Sequence, residues 1–209
     1  MTEEQKYIND YSTPQGEVLE WLERQTHLRT NHARMLSGKI QGKLLKNISQ
    51  MIKPDAILEL GTFTGYSAIC LSAGLSEDGI IDTIEINDEL EDLIIEGFKR
   101  AGIENKVKLH LGDAKKIIST LNRKYDLVYI DANKREYVEY FNLVIDKVCK
   151  GGFIIADNVL WDGKVYDKNP HNDAQTHGIM KFNEYIYNNP RVENLILPVR
   201  DGINIIRVK

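Results

Sequence analysis

The chain has 209 residues, with 27 Lys and Arg against 31 Asp and Glu and a net charge of −4, a length that fits one domain needing no disulfide staple. Its 42% apolar and 28% charged fractions are ordinary for a globular protein. Acids and bases are mixed, so no basic nucleic-acid footprint stands out, and no apolar run approaches the roughly 18 residues that span a bilayer.

The first residues, Met1-Thr2-Glu3-Glu4-Gln5-Lys6, are polar and acidic, unlike a signal peptide. The expectation is a cytoplasmic protein whose two cysteines, Cys70 and Cys149, are reduced, buried and helical. Residues 1–38 read as a helical arm ahead of a 39–209 core. In the arm, Val18, Leu19, Leu22 and Leu28 recur at helical spacing across Gln15–Asn31. A second helix is expected over Lys39–Ile52, ended by Lys53-Pro54-Asp55.

From Ala56 the pattern alternates. Strands are expected at Ala56–Leu60, Ile80–Ile86, Lys106–Leu111, Tyr125–Asp131 and Gly152–Asp157. Helices are expected between them at Tyr66–Leu75, Asp88–Ala101, Ala114–Leu121 and Arg135–Val148. Short apolar strands alternating with helices imply an α/β fold: a mostly parallel sheet covered on both faces, with right-handed crossovers. A polar loop then covers Trp161–Gln175 and a helix Ile179–Asn188. Strands Glu193–Pro198 and Ile203–Val208 flank Arg200-Asp201-Gly202, which suits a hairpin and an antiparallel end to the sheet.

In such a sheet, ligands bind beyond the C-terminal ends of the strands. Those ends carry Glu59 and Gly61, then Glu85, then Asp113-Ala114, then Asp131, then Asp157-Asn158. Gly61-x-x-x-Gly65 is a strand-to-helix turn that brings backbone close to a ligand, but Phe63 replaces the middle glycine of the dinucleotide fingerprint. Glu85 offers two acceptor oxygens to the hydroxyls of a ribose, which suits a nicotinamide cofactor or S-adenosylmethionine equally. Asp131 and Asp157-Asn158 end strands expected to lie about 4.8 Å apart. Their all-oxygen donor set suits Mg²⁺ first, with Ca²⁺ or Mn²⁺ as alternatives, and not zinc.

Taken together, Glu59-Leu60-Gly61-Thr62-Phe63-Thr64-Gly65-Tyr66-Ser67, Glu85, Asp131-Ala132-Asn133-Lys134 and Asp157-Asn158-Val159-Leu160 resemble the cation-dependent O-methyltransferases, such as caffeoyl-CoA and catechol O-methyltransferase and their small bacterial relatives. The resemblance runs from about Met35 to the C-terminus. It implies a Rossmann-like class I methyltransferase fold with seven strands, the last one antiparallel. It also implies that Met35, Ser37, Gly61, Thr62, Gly65 and Ser67 line the S-adenosylmethionine site with Glu59. Glu85 would hold the ribose, and Asp113 and Ala114 would flank the adenine. Asp131, Asp157 and Asn158 would hold the metal, Asp131 also facing the cofactor. Lys134 would be either the base, with a depressed pKa, or an orienting cation. A homodimer is the family expectation.

The resemblance has departures. Catechol O-methyltransferase has His and Trp where this chain has Ala132-Asn133, Pro198 stands where that enzyme grips the second hydroxyl, and His177 stands where relatives often carry Arg. Trp161 is a candidate wall for an aromatic substrate. His171, Lys164 and Lys168 read as surface loop residues. The leading reading is an S-adenosylmethionine- and metal-dependent O-methyltransferase acting on a vicinal aromatic diol. The alternatives are a transfer-RNA hydroxyuridine O-methyltransferase of the same family, or an NAD- or nucleoside-binding protein without methyl transfer.

Overall fold

A computed structural model describes residues 2–168 and 171–209. In chain order the elements are α1 (Glu3–Asp10), α2 (Glu17–Arg29), α3 (Gly38–Ile52), β1 (Ala56–Leu60), α4 (Tyr66–Ser72), β2 (Ile80–Glu85), α5 (Glu91–Ala101), β3 (Val107–Leu111) and α6 (Ala114–Thr120). Then come β4 (Tyr125–Ile130), α7 (Tyr137–Val144), β5 (Val148–Asp157), α8 (Ala174–Tyr187), β6 (Val192–Leu197) and β7 (Ile203–Val208). Short 3₁₀ turns fill several junctions, among them Lys134–Glu136 and Trp161–Tyr166.

The seven strands form one sheet in the order β3-β2-β1-β4-β5-β7-β6. The first five pair in parallel, and β7 is antiparallel to both neighbours. All five residues of β1 are buried, as expected of a strand covered on both faces. Alternate residues feed opposite layers. Leu58, Leu60, Val128, Ile130 and Ile154 pack against Phe141 of α7 and Ile179 and Phe182 of α8. Ile57, Leu127, Tyr129 and Ile155 pack against Leu22 of α2, Leu45 of α3 and Tyr66 and Leu71 of α4.

Register fixes the functional edge. Leu60 lies beside both Ile84 and Ile130, and Ile130 beside Ala156. The residues that follow at each strand tip, Gly61, Glu85, Asp131 and Asp157, are therefore side by side. Strand order reverses between β1 and β4, so the crevice opens at that point.

Several expectations need correction. Cys149 lies in β5, which begins at Val148, and it is half-buried; Cys70 is buried in α4, and both are free. The arm carries an additional helix, α1, started by a capping box in which Thr2 and Gln5 satisfy each other's backbone N–H. The arm's other helix, α2, sits in the core, with Leu22 and Thr26 at 0% exposure. The segment expected as loop over Trp161–Gln175 contains a 3₁₀ turn and the start of α8; Asn169 and Pro170 lie outside the described residues. Asp173 starts α8 early because its carboxylate accepts from the backbone N–H and the hydroxyl of Thr176. Among the described residues no helix is long and apolar enough to cross a membrane.

Candidate active site

The chain leaves β1 at Gly61 and turns across β2, with the N–H groups of Gly61 and Thr62 both donating to the Ile84 carbonyl at 3.0 and 3.1 Å. Gly61 has φ 95°, and a Cβ there would lie 2.1 Å from the Asp131 carbonyl oxygen. The turn passes through Phe63, left-handed at φ 49°, and reaches the first residue of α4 through Gly65 at φ 91°. So the middle position of the loop still takes the conformation glycine favours, although a phenylalanine occupies it.

Phe63 N–H donates to Glu85 Oε2 at 2.7 Å and Asn87 N–H to Glu85 Oε1 at 2.9 Å. Each oxygen of this carboxylate keeps acceptor capacity for a ligand hydroxyl. Behind the loop, Thr62 and Thr83 hydroxyls meet at 2.5 Å, and Thr83 donates to Glu59 Oε2. Glu59 is 0% exposed, and among the described residues its Oε1 has no hydrogen-bond partner. Burial pushes its pKa up to about 7, opposed by the Ser67 and Thr83 side chains and helped by the charges of Asp131 and Glu85.

That shift fixes a sign. Between pH 4.5 and about 7 the folded protein keeps a proton on Glu59 that the unfolded chain has released, so this group's contribution to stability falls as pH rises through that window and stays low above it. Glu59→Gln is therefore expected to gain about 2 kcal/mol on wild type between pH 5 and pH 8, any constant cost of the amide cancelling in the difference. Urea unfolding at the two pH values measures it, and a gap that does not widen would show Glu59 to be ionised in the fold.

The second half of the site is the acid pair. Asp131 accepts from Lys134 Nζ at 2.6 Å, and Lys134 also lies over the Tyr137 ring at 5.3 Å. Asp157 is 3% exposed. Its Oδ2 accepts from Gln41 Nε2 at 2.5 Å and from the Tyr129 hydroxyl at 3.0 Å, and its Oδ1 from Asn158 N–H at 2.7 Å. Burial, then the charge of Asp131, pushes Asp157 up to about 7 against the opposing pull of Lys134 and Gln41. The Tyr137 hydroxyl bonds the Asp157 carbonyl at 3.0 Å, tying the tip of β5 to α7.

At Lys134, expected as either base or orienting cation, two influences oppose each other. Burial lowers its pKa, but the adjacent charge of Asp131 and the Tyr137 hydroxyl outweigh it, and the ammonium is held charged. The ammonium lies directly against the Asp131 carboxylate.

The remaining candidates fall as follows. Ser37 is buried beside the Tyr129 hydroxyl, whereas Met35 is 56% exposed. Asp113 caps α6 by accepting from the N–H groups of Lys115 and Lys116, next to Ala114. Ser67 is buried in the first turn of α4. Trp161 is half-buried at φ 47°, its indole N–H without a partner, and Lys164 lies over its ring at 5.9 Å. His177 is exposed on α8, and His171 meets Asp167 at 2.8 Å.

Gln41, Tyr129, Tyr137 and Asp201 belong to the site although no motif announces them. Asp201 accepts from Asp162 N–H at 2.5 Å, and the Asn158 side chain stabilises its carboxylate.

Among the described residues no group of three or more His, Cys, Asp or Glu could hold a metal ion, so a cation here would rest on two carboxylates and an amide oxygen. Each carboxylate offers about four acceptor positions on its two oxygens, and Asp157 has spent three of its own while Asp131 has spent one. Asp157 with one acceptor left, Asp131 with three and the Asn158 carbonyl fit a hard divalent cation taking oxygen ligands.

A family model described as O-methyltransferase matches residues 9–209. A catechol O-methyltransferase from Niastella koreensis is 35% identical over 81% of this chain and 80% of its own. A caffeoyl-CoA O-methyltransferase from Stellaria longipes is 31% identical over 83% of this chain and 76% of its own. Among solved structures, the O-methyltransferase TomG from Streptomyces achromogenes in complex with SAM superposes with a TM-score of 0.91 at 28% identity, covering 100% of both chains. An O-methyltransferase from Bacillus cereus in complex with SAH gives 0.88 at 30% identity, covering 100% of this chain and 98% of its own.

Proposed function

This chain belongs to the O-methyltransferase family, and from that premise we propose that it transfers a methyl group from S-adenosylmethionine to one hydroxyl of a catechol- or hydroxycinnamoyl-type diol, with a divalent cation, Mg²⁺ first. One observation carries the reading: strand register sets the glycine loop and the Asp131 and Asp157 tips side by side at the switch point. A cofactor seated on the first and an acceptor held over the second would be neighbours. The SAM and SAH seen in relatives of this fold support the choice of cofactor.

The residues divide the work. Glu85 accepts the ribose hydroxyls, while Gly61 lets the loop pack directly against the Asp131 backbone and so brings the cofactor side next to the acid pair. Asp131, Asp157 and Asn158 would hold the cation, which supplies a lowered pKa for a bound hydroxyl. Lys134 keeps Asp131 directed into the site. Trp161 supplies an aromatic wall. Methyl transfer is an in-line displacement, so most of the protein's contribution is alignment of donor and acceptor.

The test is a methyl-transfer screen over catechols, hydroxycinnamoyl thioesters and hydroxylated transfer RNA, with Mg²⁺ and with EDTA. Turnover of a diol that falls at least about 100-fold in EDTA is expected, several kcal/mol of barrier being the usual contribution of such an ion. Equal rates with and without chelator would remove the cation from the reading, and turnover of transfer RNA alone would replace the acceptor.

A further inference from the structure

The turn between β6 and β7 touches both halves of the site. Its sequence, Val199-Arg200-Asp201-Gly202, lies just past the tip of β5, because Asp157 pairs with Ile203. Arg200 and Gly202 are both left-handed, at φ 50° and 86°, and the side chains of Arg200 and Asp201 find partners on different sides of the turn.

Arg200 reaches toward the cofactor side. Its Nη1 donates to the Leu36 carbonyl at 2.8 Å, between Met35 and Ser37, and packs against Gly38, where a Cβ would stand 3.4 Å from it. Asp201 reaches toward the acceptor side. Its Oδ1 accepts from Asp162 N–H at 2.5 Å and its carbonyl from Leu160 N–H at 2.9 Å, while the Gly202 carbonyl accepts from Val159 N–H at 3.1 Å. The contact is close: a Cβ on Gly202 would lie 2.4 Å from Leu160 Cγ.

The clasped segment is one that would not hold its shape unaided. Asn158, Trp161 and Asp162 are all left-handed, at φ 56°, 47° and 56°, and none is glycine. Such residues persist only where their surroundings over-determine them. Here the surroundings include the Asp201 carboxylate and the two carbonyls of the turn, with Asn183 Nδ2 donating to the Val159 carbonyl at 2.8 Å from the other side. Asn158 and Trp161, the candidate metal and substrate residues, sit inside that clasp.

We infer that Arg200 and Asp201 are positioning residues, a two-armed brace that sets the spacing between the cofactor segment at Leu36 and the acceptor segment at 158–162. The inference rests on the proposed function for what each segment holds. Arg200 acts through the Leu36 carbonyl and Asp201 through the Asp162 amide and Asn158. An error near 1 Å in donor–acceptor alignment is enough to cost on the order of 100-fold in rate, so a brace of this kind bears directly on turnover.

The test uses binding rather than turnover, so that it does not depend on finding the acceptor. SAH affinity is measured by calorimetry and Mn²⁺ affinity by electron paramagnetic resonance, on wild type, Arg200→Met, Asp201→Ala and Asp201→Asn. Losing one hydrogen bond to a charged group is worth roughly tenfold. Arg200→Met is therefore expected to weaken SAH about tenfold and Mn²⁺ less than twofold. Asp201→Ala is expected to do the reverse, and Asp201→Asn, which keeps an oxygen for the Asp162 amide, to recover most of the loss.

Equal weakening of both ligands by either truncation would mean general loosening and overturn the brace. So would unchanged affinities, or an Asp201→Asn as weak as Asp201→Ala, which would assign the effect to charge. If a truncation does not fold, hydrogen exchange on the wild type decides. SAH is expected to slow exchange across 158–163 at least threefold, and no change there overturns the brace. A wild type that binds neither SAH nor Mn²⁺ overturns the functional reading itself, whereas normal wild-type binding with unmoved variants overturns only the brace.

Discussion

Asp157→Asn is expected to cut methyl transfer at least about 100-fold, which is near 2.7 kcal/mol of barrier, while leaving the metal-free fold at pH 8 as stable as wild type or more so. The two effects have one cause. Asp157 is 3% exposed, and burial followed by the charge of Asp131 pushes its pKa up to about 7. Between the unfolded value of 3.8 and about 7 the folded state holds a proton that the unfolded state has lost, so stability declines across that window as pH rises and does not return above it. An amide removes that penalty, which is on the order of 2 kcal/mol or more. It keeps one oxygen for Gln41 and the Tyr129 hydroxyl and gives up the bond from Asn158 N–H, a loss of about 1 kcal/mol. Relief therefore outweighs loss. The carboxylate thus carries a net cost to the metal-free fold, and a second carboxylate beside Asp131 is what an oxygen-ligand cation site needs. Urea unfolding in EDTA and initial rates in Mg²⁺ check the two halves separately. A rate within tenfold of wild type, or a stability loss beyond about 2 kcal/mol, would make Asp157 a structural residue only.

The sheet and its functional edge were legible because their determinants are local. Apolar runs such as Ile57 to Leu60 and Ile154 to Ala156 specify strands buried on both faces, and the acids follow immediately at the tips. What the residue pattern does not carry is how neighbouring elements reach those tips. Gln41 lies on α3 among positions that read as one amphipathic helix, yet its amide extends to Asp157. Tyr129 alternates inward like any strand residue, and only the tertiary arrangement takes its hydroxyl to the same carboxylate. Asp201 reads as turn chemistry until the turn is seen against Asp162.

Other differences trace to signals that compete. Helix α1 has no buried residue, so apolar periodicity is silent about it and only Thr2-x-x-Gln5 marks its start. The cap at Asp173 and Thr176 lies within a polar stretch that otherwise resembles loop. Lys134 reads from the sequence as either a base, its pKa depressed by a nearby cation, or an orienting cation. Asp131 at 2.6 Å favours the charged form, a matter of distance that no spacing in the sequence specifies.

Gly61→Ala is the strongest single disruption expected of the cofactor cradle. Two penalties coincide at this residue. The backbone is at φ 95°, outside the conformations an alanine adopts readily, and the added Cβ would fall 2.1 Å from the Asp131 carbonyl oxygen. The obstacle is backbone held in place, since Asp131 N–H donates to the Leu60 carbonyl at 2.9 Å, so neither side can yield without opening the junction of β1 and β4. That junction is the point where the glycine loop meets the acid pair. We expect a stability loss of about 3 kcal/mol and SAH affinity down at least about 100-fold. Two other glycines calibrate the result. Gly65, at φ 91°, would place its Cβ 2.8 Å from the edge of the buried Phe98 ring, side chain rather than backbone, so Gly65→Ala is expected to cost less. Gly102, at φ 66°, has nothing within 4 Å, so Gly102→Ala should show only the backbone penalty of about 1 kcal/mol and no change in SAH binding. Thermal melts and calorimetry on the three variants give the order directly. If Gly61→Ala binds SAH as well as Gly102→Ala does, the close approach of the loop to Asp131 is not what shapes the cofactor site.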